Sequence, residues 1–510
     1  MVEEERKYAV DDGWVLPDLA GSAPAGGGVR AHPAATLVAT YFDTVDLRLA
    51  RAGVSLRHRQ GDDLPWTVKL PTDSPGVRHE ISRAGTADEP PAELVELVTV
   101  FHRGAPLAPA AVVRTVREAY DVHDADGTVL AEVVDDHVTV EDVDGTATGA
   151  FRELEVERKA GDRTLLDRIG TLLRTAGARG GGFTPKHVRA LGPAAEGEPD
   201  LVAPTGLPAA PTAGDVVTEA VRREVRRLLA HDPLVRQRVP GDDGRTAVHQ
   251  MRVACRRLRA DLRTFARLLR PDWARPLRDE LTWLAGALGD ARDAEVLRER
   301  LRRTATADPT SPLDGEAVGR LDEVLARRQE EALAAVDAAL RSERYVALVE
   351  ALVLAARSPL FTRRAERPAR RTLPRLVARR WRRLAGDGSR PGSVAALEQD
   401  GPDEQWHDVR KEGKRVRAGV KSMTPALGED ARELNRRLGR VQDLLGEHQD
   451  AAVAADTWLS VADSRPGDHA LAVTAGRLAE RERAVVRRVR AEFPAAWRRA
   501  SRRRRTRWLR

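Results

Sequence analysis

The sequence predicts a chain of two unlike parts: an α+β front built on a closed antiparallel β-barrel, and an all-α rear built from a duplicated helical unit. Three observations predict it. Residues 1–192 alternate short β-branched segments with turns rich in Gly, Pro and Asp, such as Gly61-Asp62-Asp63 and Asp124-Ala125-Asp126-Gly127. From about Gly214 onward, apolar residues recur at spacings of three and four, the period of a helix. The formal charge divides near the same place: residues 1–200 carry 22 Lys+Arg against 34 Asp+Glu, a net −12, and the remainder 63 against 44, a net +19. An acidic front and a basic rear imply two tasks, the rear one directed at a polyanion.

The other compositional features narrow the class. With 510 residues, 42% hydrophobic and 32% charged, the chain has length for two to four domains and ample core. Its acidic start lacks the apolar run of a signal peptide, and no apolar stretch approaches the roughly 20 residues that span a bilayer. Cys255 is the only cysteine, which excludes an intrachain disulfide and a thiolate metal cluster, and it reads as a packing residue. The expected location is the cytoplasm. Only seven of the 85 basic residues are lysines, so a lysine marks a place where a compact point charge serves better than a planar fork.

In the front part, strands are expected at Thr36–Phe42, Val54–Arg59, Trp66–Leu70, Val77–Arg83, Val112–Val122, Val129–Val134, Val138–Val143 and Phe151–Lys159. Amphipathic helices are expected at Pro90–Phe101 and Asp162–Ala176, packed outside the barrel. The chain opens with Glu3-x-Glu5-x-Lys7, whose side chains share one face if the segment is extended. Strand after strand repeats that division. Glu153, Glu155 and Glu157 oppose Leu154 and Val156; Arg57 and Arg59 oppose Leu56; Lys69 opposes Val68; Arg78 and Glu80 share a face. If the apolar faces lie outward under helices, the charged faces line the lumen. Rows of cations beside rows of carboxylates suit a chain of phosphates with a hard divalent cation, Mg²⁺ or Mn²⁺.

Glu3-x-Glu5-x-Lys7, Tyr41-Phe42-Asp43-Thr44 with Leu47-Arg48-Leu49, Ser55-Leu56-Arg57-His58-Arg59, Thr67-Val68-Lys69-Leu70, Glu153-Leu154-Glu155-Val156-Glu157 and Pro185-Lys186-His187 resemble the CYTH family, the triphosphate tunnel metalloenzymes. The resemblance covers residues 1–192 and implies an eight-stranded tunnel that hydrolyses a triphosphate with divalent metal. It implies metal binding by Glu3, Glu5, Glu153 and Glu155, and phosphate binding by Lys7, Arg57, Arg59, Lys69, Arg114 and Lys186. Strand phase is ambiguous around Arg114, Arg117, Glu132 and Asp135. Arg78, Glu80, Arg117, Glu132, Asp135 and Glu157 therefore complete the expected tunnel set as a second tier, with Arg78 and Glu157 assignable to wall or rim.

A linker rich in Gly, Pro and Ala is expected at 193–213, and a helical domain at 214–505 with repeats at roughly 214–385 and 403–505. The duplication is written in H-x-x-R-x-x-x-[RK]-R-x-R, which occurs at His249 and again 158 residues on at His407. Leu288-Gly289-Asp290-Ala291-Arg292-Asp293 is echoed 157 residues on by Leu445-Gly446-Glu447-His448-Gln449-Asp450. Helical spacing places His249, Arg252, Arg256, Arg259 and Arg263 on one stripe, and His407, Arg410, Lys414, Arg417 and Lys421 on the other. Between Arg245 and Arg270 the only acid is Asp261, so like charge goes uncompensated unless a polyanion relieves it. These repeats resemble the CHAD domain, which implies two pseudo-symmetric helical bundles that bind inorganic polyphosphate.

Together the two resemblances imply a metal-dependent inorganic triphosphatase with a polyphosphate-binding rear domain, in the cytoplasm or on polyphosphate granules there. The alternatives are a noncatalytic polyphosphate or granule protein, a triphosphatase for thiamine triphosphate or RNA 5′ ends, and an adenylate cyclase. Aromatic residues are 4% of the chain and only Phe265 lies near the first stripe, which argues against sequence-specific nucleic-acid binding.

Overall fold

A computed structural model describes residues 2–11, 13–72, 77–142, 145–180, 184–239, 246–386, 388 and 392–509, with the backbone alone at positions 2 and 3. Two compact units divide after Asp200.

The first unit holds β1 (Val2–Ala9), β2 (Gly28–Ala31), β3 (Ala35–Asp43), β4 (Ser55–Arg59), β5 (Trp66–Pro71), β6 (Val77–Arg83), β7 (Ala108–His123), β8 (Val129–Glu141), β9 (Ala147–Arg158) and β10 (Arg179–Gly180). Eight of them close an antiparallel barrel in the order β1-β6-β5-β4-β3-β7-β8-β9, with β9 pairing back to β1. The short strands β2 and β10, not expected from sequence, pair with β7 and β1. The helices of this unit are α1 (Arg48–Arg51), α2 (Ala92–Leu97), α3 (Thr99–His102), α4 (Arg163–Thr175) and α5 (Lys186–Leu191).

Apolar faces do point outward, beneath helices. Leu154 and Val156 of β9 and Val133 of β8 are fully buried with Leu165, Leu166, Ile169 and Leu173 of α4. The Asp162 side chain caps that helix by accepting from the Leu165 N–H at 2.8 Å. On the opposite wall, Leu56, Trp66 and Val68 are buried with Leu94, Leu97 and Val98 from α2 and its end. Each fully buried leucine of this kind stabilises the fold by about 1.5–3 kcal/mol.

The two strands expected at 129–134 and 138–143 are one continuous strand, β8, as far as the described residues run. Asp135-Asp136 makes no turn because both carboxylates are neutralised within the wall. Asp135 takes both arms of Arg152 at 2.9 and 2.6 Å, and Asp136 both arms of Arg117 at 2.8 and 2.7 Å.

The second unit is helical: α6 (Ala213–Arg236), α7 (Ala247–Thr264), α8 (Pro271–Ala305), α9 (Gly315–Arg341), α10 (Glu343–Arg357), α11 (Ala369–Ala385), α12 (Asp403–Leu427), α13 (Glu429–Asp463), α14 (His469–Ala500) and α15 (Arg503–Thr506). A capping box between Thr212 and Asp215 opens α6. Helix α11 packs on α12 as α6 packs on α7, and it begins 156 residues after α6 (213 to 369). It therefore heads the second copy, which starts earlier than residue 403. The seam between copies is the packing of α7 against α12.

Candidate functional site

Barrel register sorts the inward side chains into layers. One layer sets Glu5 of β1 opposite Glu157 of β9, and Glu157 opposite Glu132 of β8. The next pairs Lys7 with Glu155, and the third pairs Glu153 with Asp136 and Asp136 with Arg117. The wall of β4, β5 and β6 is cationic instead, with Arg57, Arg59, Lys69 and Arg78, balanced by Glu80, whose carboxylate lies 3.4 Å from the Lys69 ammonium. A carboxylate half thus faces a cation half across one lumen.

Lysines bridge the carboxylate half. The Lys7 ammonium donates to Glu155 and lies 3.4 Å from Glu5 and 3.8 Å from Glu153. Lys186, carried in by α5, donates to Asp136 and sits 3.3 Å from both Glu153 and Glu155. Arg117 adds a contact to Glu155 at 3.3 Å. Burial opposes charge on Lys7 and Lys186, but the surrounding acids prevail and raise both above the ordinary lysine value. Burial likewise works against Glu155, yet Lys186, Lys7 and Arg117 hold it well below the usual carboxylate range. For Glu153 burial prevails over Lys186 and Lys7, and pushes its carboxyl up to about 7. Both Glu153 oxygens are buried without a hydrogen-bond partner.

That carboxylate, held by the longer ion contacts of Lys186 at 3.3 Å, Arg189 at 3.6 Å and Lys7 at 3.8 Å, forms with Glu5 and Glu155 a hard oxygen donor set that fits a divalent cation of the Mg²⁺ or Mn²⁺ kind. Among the described residues no three His, Cys, Asp or Glu side chains already close on a common point, because Lys7 and Lys186 stand between them. The side chain of Glu3 lies outside the described residues; its backbone pairs with Arg78.

Two sequence expectations are corrected here. Arg114 has the opposite parity to Arg117 on β7, so it points out of the tunnel, half exposed, and pairs with Glu141 at 2.9 Å. Asp135 likewise points outward to Arg152, and it is Asp136 that faces the lumen. Both errors come from phase: an arginine or aspartate on a long strand gives no sign of which face it occupies until its neighbours are known. The remaining positions sit toward the rims. Arg59 is held by Asp62 at 2.6 Å, Arg78 donates to the Gly53 carbonyl at 2.7 Å, and Lys159 lies 2.8 Å from Glu157 and 3.4 Å from Glu132.

His187 was not expected as a tunnel residue, although it follows Lys186 directly. It is buried, stacks on Tyr41 with centroids 5.7 Å apart, and its Nε2 has no partner. Burial and then Arg78, Lys7, Arg57 and Lys69 depress its pKa to about 3, so the ring stays neutral. Nothing in a lone His after a Lys signals that; the cation ring that imposes it is tertiary.

In the helical unit the two stripes face one another across the seam. Arg256 of α7 is pushed down to about 10 by burial and by Arg252, Arg257, Arg410 and Arg417. Lys414 of α12 is pushed down to about 7 by burial, Arg410, Arg256 and Arg252, with Asp450 opposing. Lys421 falls to about 8 through burial, Arg257 and Arg417, and His249 to about 4 through burial, Arg292, Arg256, Arg252 and Arg227. Burial, Arg415 and Arg259 also lower Arg263. Arg227 and Arg292, on α6 and α8, are additions that the stripe pattern did not contain.

The downstream echo now has a reason. Its final aspartates partner the second residue of each stripe: Arg252 with Asp293 at 3.2 Å, and Arg410 with Asp450 at 3.8 Å. His407 pairs with Gln449. Arg256, Arg259, Lys414 and Arg417 have no carboxylate in ion-pair contact among the described residues, and the Nε atoms of Arg259, Arg410 and Arg417 are buried without a hydrogen-bond partner. Half-buried cations crowded together without a carboxylate repel one another, and an anion with many oxygens relieves that repulsion.

Known proteins resemble both units. The CYTH domain matches residues 1–183 and the CHAD domain residues 219–459. Two Mycobacterium tuberculosis proteins, MT2285 of strain CDC 1551 / Oshkosh and Rv2226 of strain ATCC 25618 / H37Rv, are each 34% identical over 520 aligned positions, 98% of this chain and 96% of theirs. Among solved structures, PptA from Streptomyces chartreusis superposes with a TM-score of 0.47 at 25% identity, over 56% of this chain and 99% of its own.

Proposed function

Because this chain belongs to the CYTH family and carries a CHAD domain behind its tunnel, we propose that it hydrolyses inorganic triphosphate with a divalent metal, Mg²⁺ or Mn²⁺, and binds inorganic polyphosphate along the α7–α12 seam. The observation that carries the reading is the divided lumen, cations on β4–β6 facing carboxylates on β1, β8 and β9. A triphosphate is held by Arg57, Lys69, Arg117, Lys186 and Lys7, whose charges are delivered from five different elements toward one axis. Glu5, Glu153 and Glu155, with Glu3, hold the metal, which when bound supplies charge neutralisation on phosphate oxygens and acidifies water.

The protein's own contribution is positioning and fixed charge. Arg117, braced in both arms by Asp136, presents a pre-oriented guanidinium. Lys7 and Lys186 rest on the carboxylates and are free to trade that contact for phosphate oxygens. His187, neutral and backed by Tyr41, offers an uncharged nitrogen among cations. An inorganic substrate is favoured over a nucleotide or thiamine ester because the second unit presents unpaired cations to the same chemistry, a chain of phosphoanhydrides.

Phosphate release from tripolyphosphate, ATP, thiamine triphosphate and RNA 5′-triphosphate ends, with Mg²⁺ or Mn²⁺, tests this. Tripolyphosphate should be the best substrate, and Glu5→Ala and Glu153→Ala should each remove the activity. Unchanged hydrolysis in both variants refutes the metal assignment, and tight polyphosphate binding without any hydrolysis makes the chain a noncatalytic binder.

A further inference from the structure

A second basic surface borders the seam and meets it where Arg380 of α11 donates to the Arg263 carbonyl at 3.0 Å. Helix α11, Ala369–Ala385, carries seven arginines and no acid, and residues 497–510 carry eight arginines and no acid. Neither segment contains a lysine. The apolar side of α11 is spent on the bundle, with Leu373, Val377 and Leu384 fully buried. Its opposite side exposes Arg371, Arg375, Arg379 and Arg382, about one turn apart, a row rising about 4.5–6 Å per step.

The C-terminal arginines are not a loose tail. Trp497 stacks on Trp381 of α11 with centroids 5.5 Å apart, Arg505 pairs with Glu433 at 3.1 Å, and Leu509 is buried. Arg502, Arg503 and Arg504 are thereby held exposed near α11. None of these seven arginines takes part in an ion pair among the described residues.

From this geometry we infer that α11 and the anchored C-terminal arginines form a docking surface for the phosphate backbone of duplex nucleic acid, independent of base sequence. Two features select that partner. The surface is the convex outside of a helix, where a thin flexible phosphate chain gains few contacts and loses its own entropy, whereas a stiff duplex presents phosphates already in rows. Leu373, Val377, Trp381 and Leu384 are buried in the bundle and Leu376, Trp497 and Trp508 are partly covered, so little apolar surface is left to insert among lipid chains. No base-reading set accompanies the arginines, hence the lack of sequence preference.

The test uses the full chain, a labelled 20-base-pair duplex and long-chain polyphosphate, with binding measured across a salt series. The Arg371/Arg375/Arg379/Arg382→Gln variant should lose about tenfold or more in duplex affinity, and its salt slope should fall by about 0.9 for each phosphate contact removed. Its polyphosphate affinity should stay within about twofold, which also shows that it folds. The Arg256/Lys414→Gln variant should do the reverse. Should the α11 variant lose both ligands, Arg502/Arg503/Arg504→Gln is decisive: selective loss of duplex binding supports the surface, and unchanged duplex binding overturns it. The inference also fails if the wild-type chain binds no duplex, if the α11 variant loses polyphosphate alone, or if the surface holds phosphatidylserine vesicles and no duplex.

Discussion

Replacing Lys414 by arginine separates charge from titration at the α7–α12 seam. In the free protein, burial and then Arg410, Arg256 and Arg252 hold the Lys414 ammonium at about 7, while Asp450 pulls the other way. A polyanion seated on the seam restores its ordinary value, so binding takes up a proton. Between pH 6 and pH 9 the protonated fraction of such a group falls from roughly nine-tenths to about one-hundredth, and polyphosphate affinity should fall with it, by up to about 90-fold. Lys421, at about 8, adds up to about tenfold more. Calorimetry in two buffers of different ionisation enthalpy, repeated across that range, reads both the affinity and the proton uptake. Lys414→Arg, which stays charged, should flatten most of the pH dependence and raise affinity at pH 9.

Stability runs the opposite way. Both lysines have folded values below 10.5, so the unfolded chain binds more protons between about pH 7 and 10.5, and without ligand the fold should gain stability as pH rises through that window. If Lys414→Arg keeps the full wild-type pH slope, the lysine does not grip the anion in its charged form, and the reasoning fails.

Arg117→Ala should reduce tripolyphosphate hydrolysis by about 10²-fold or more, whereas Arg114→Ala should stay within about threefold; steady-state kinetics of the two variants would show whether strand parity was read correctly. Asp135→Ala removes the carboxylate that takes Arg152 on the outer wall, leaving the guanidinium its bond to the Trp14 carbonyl, and should destabilise the barrel by about 2–3 kcal/mol in urea unfolding; in folded protein its kcat should be little changed. Gly170→Ala drives a Cβ to 2.3 Å from the buried Tyr8 hydroxyl, so it should cost about 1–3 kcal/mol and lower Tm.

The alternating pattern by itself determined which faces of the strands are charged and which are apolar, because side chains in a strand alternate whatever surrounds them. That was enough to place Glu5, Lys7, Arg57, Lys69, Glu153 and Glu155 on the charged faces of their strands, and the 3.6-residue period was enough to draw both basic stripes. Alternation does not say where a strand ends or which parity faces in when both parities carry charge. Arg114 and Arg117, and Asp135 and Asp136, were therefore decided only by closure of the barrel, when Arg152 outside and Lys186 inside each claimed an aspartate. The same holds in the rear. The repeat spacing disclosed the duplication, but only packing of α7 against α12 brought Arg256 within the field of Arg410 and Arg417, turning two solvated-looking stripes into one crowded seam. Periodicity is local and survives in the sequence; electrostatic crowding depends on distances between residues far apart along the chain, and only the folded chain sets those.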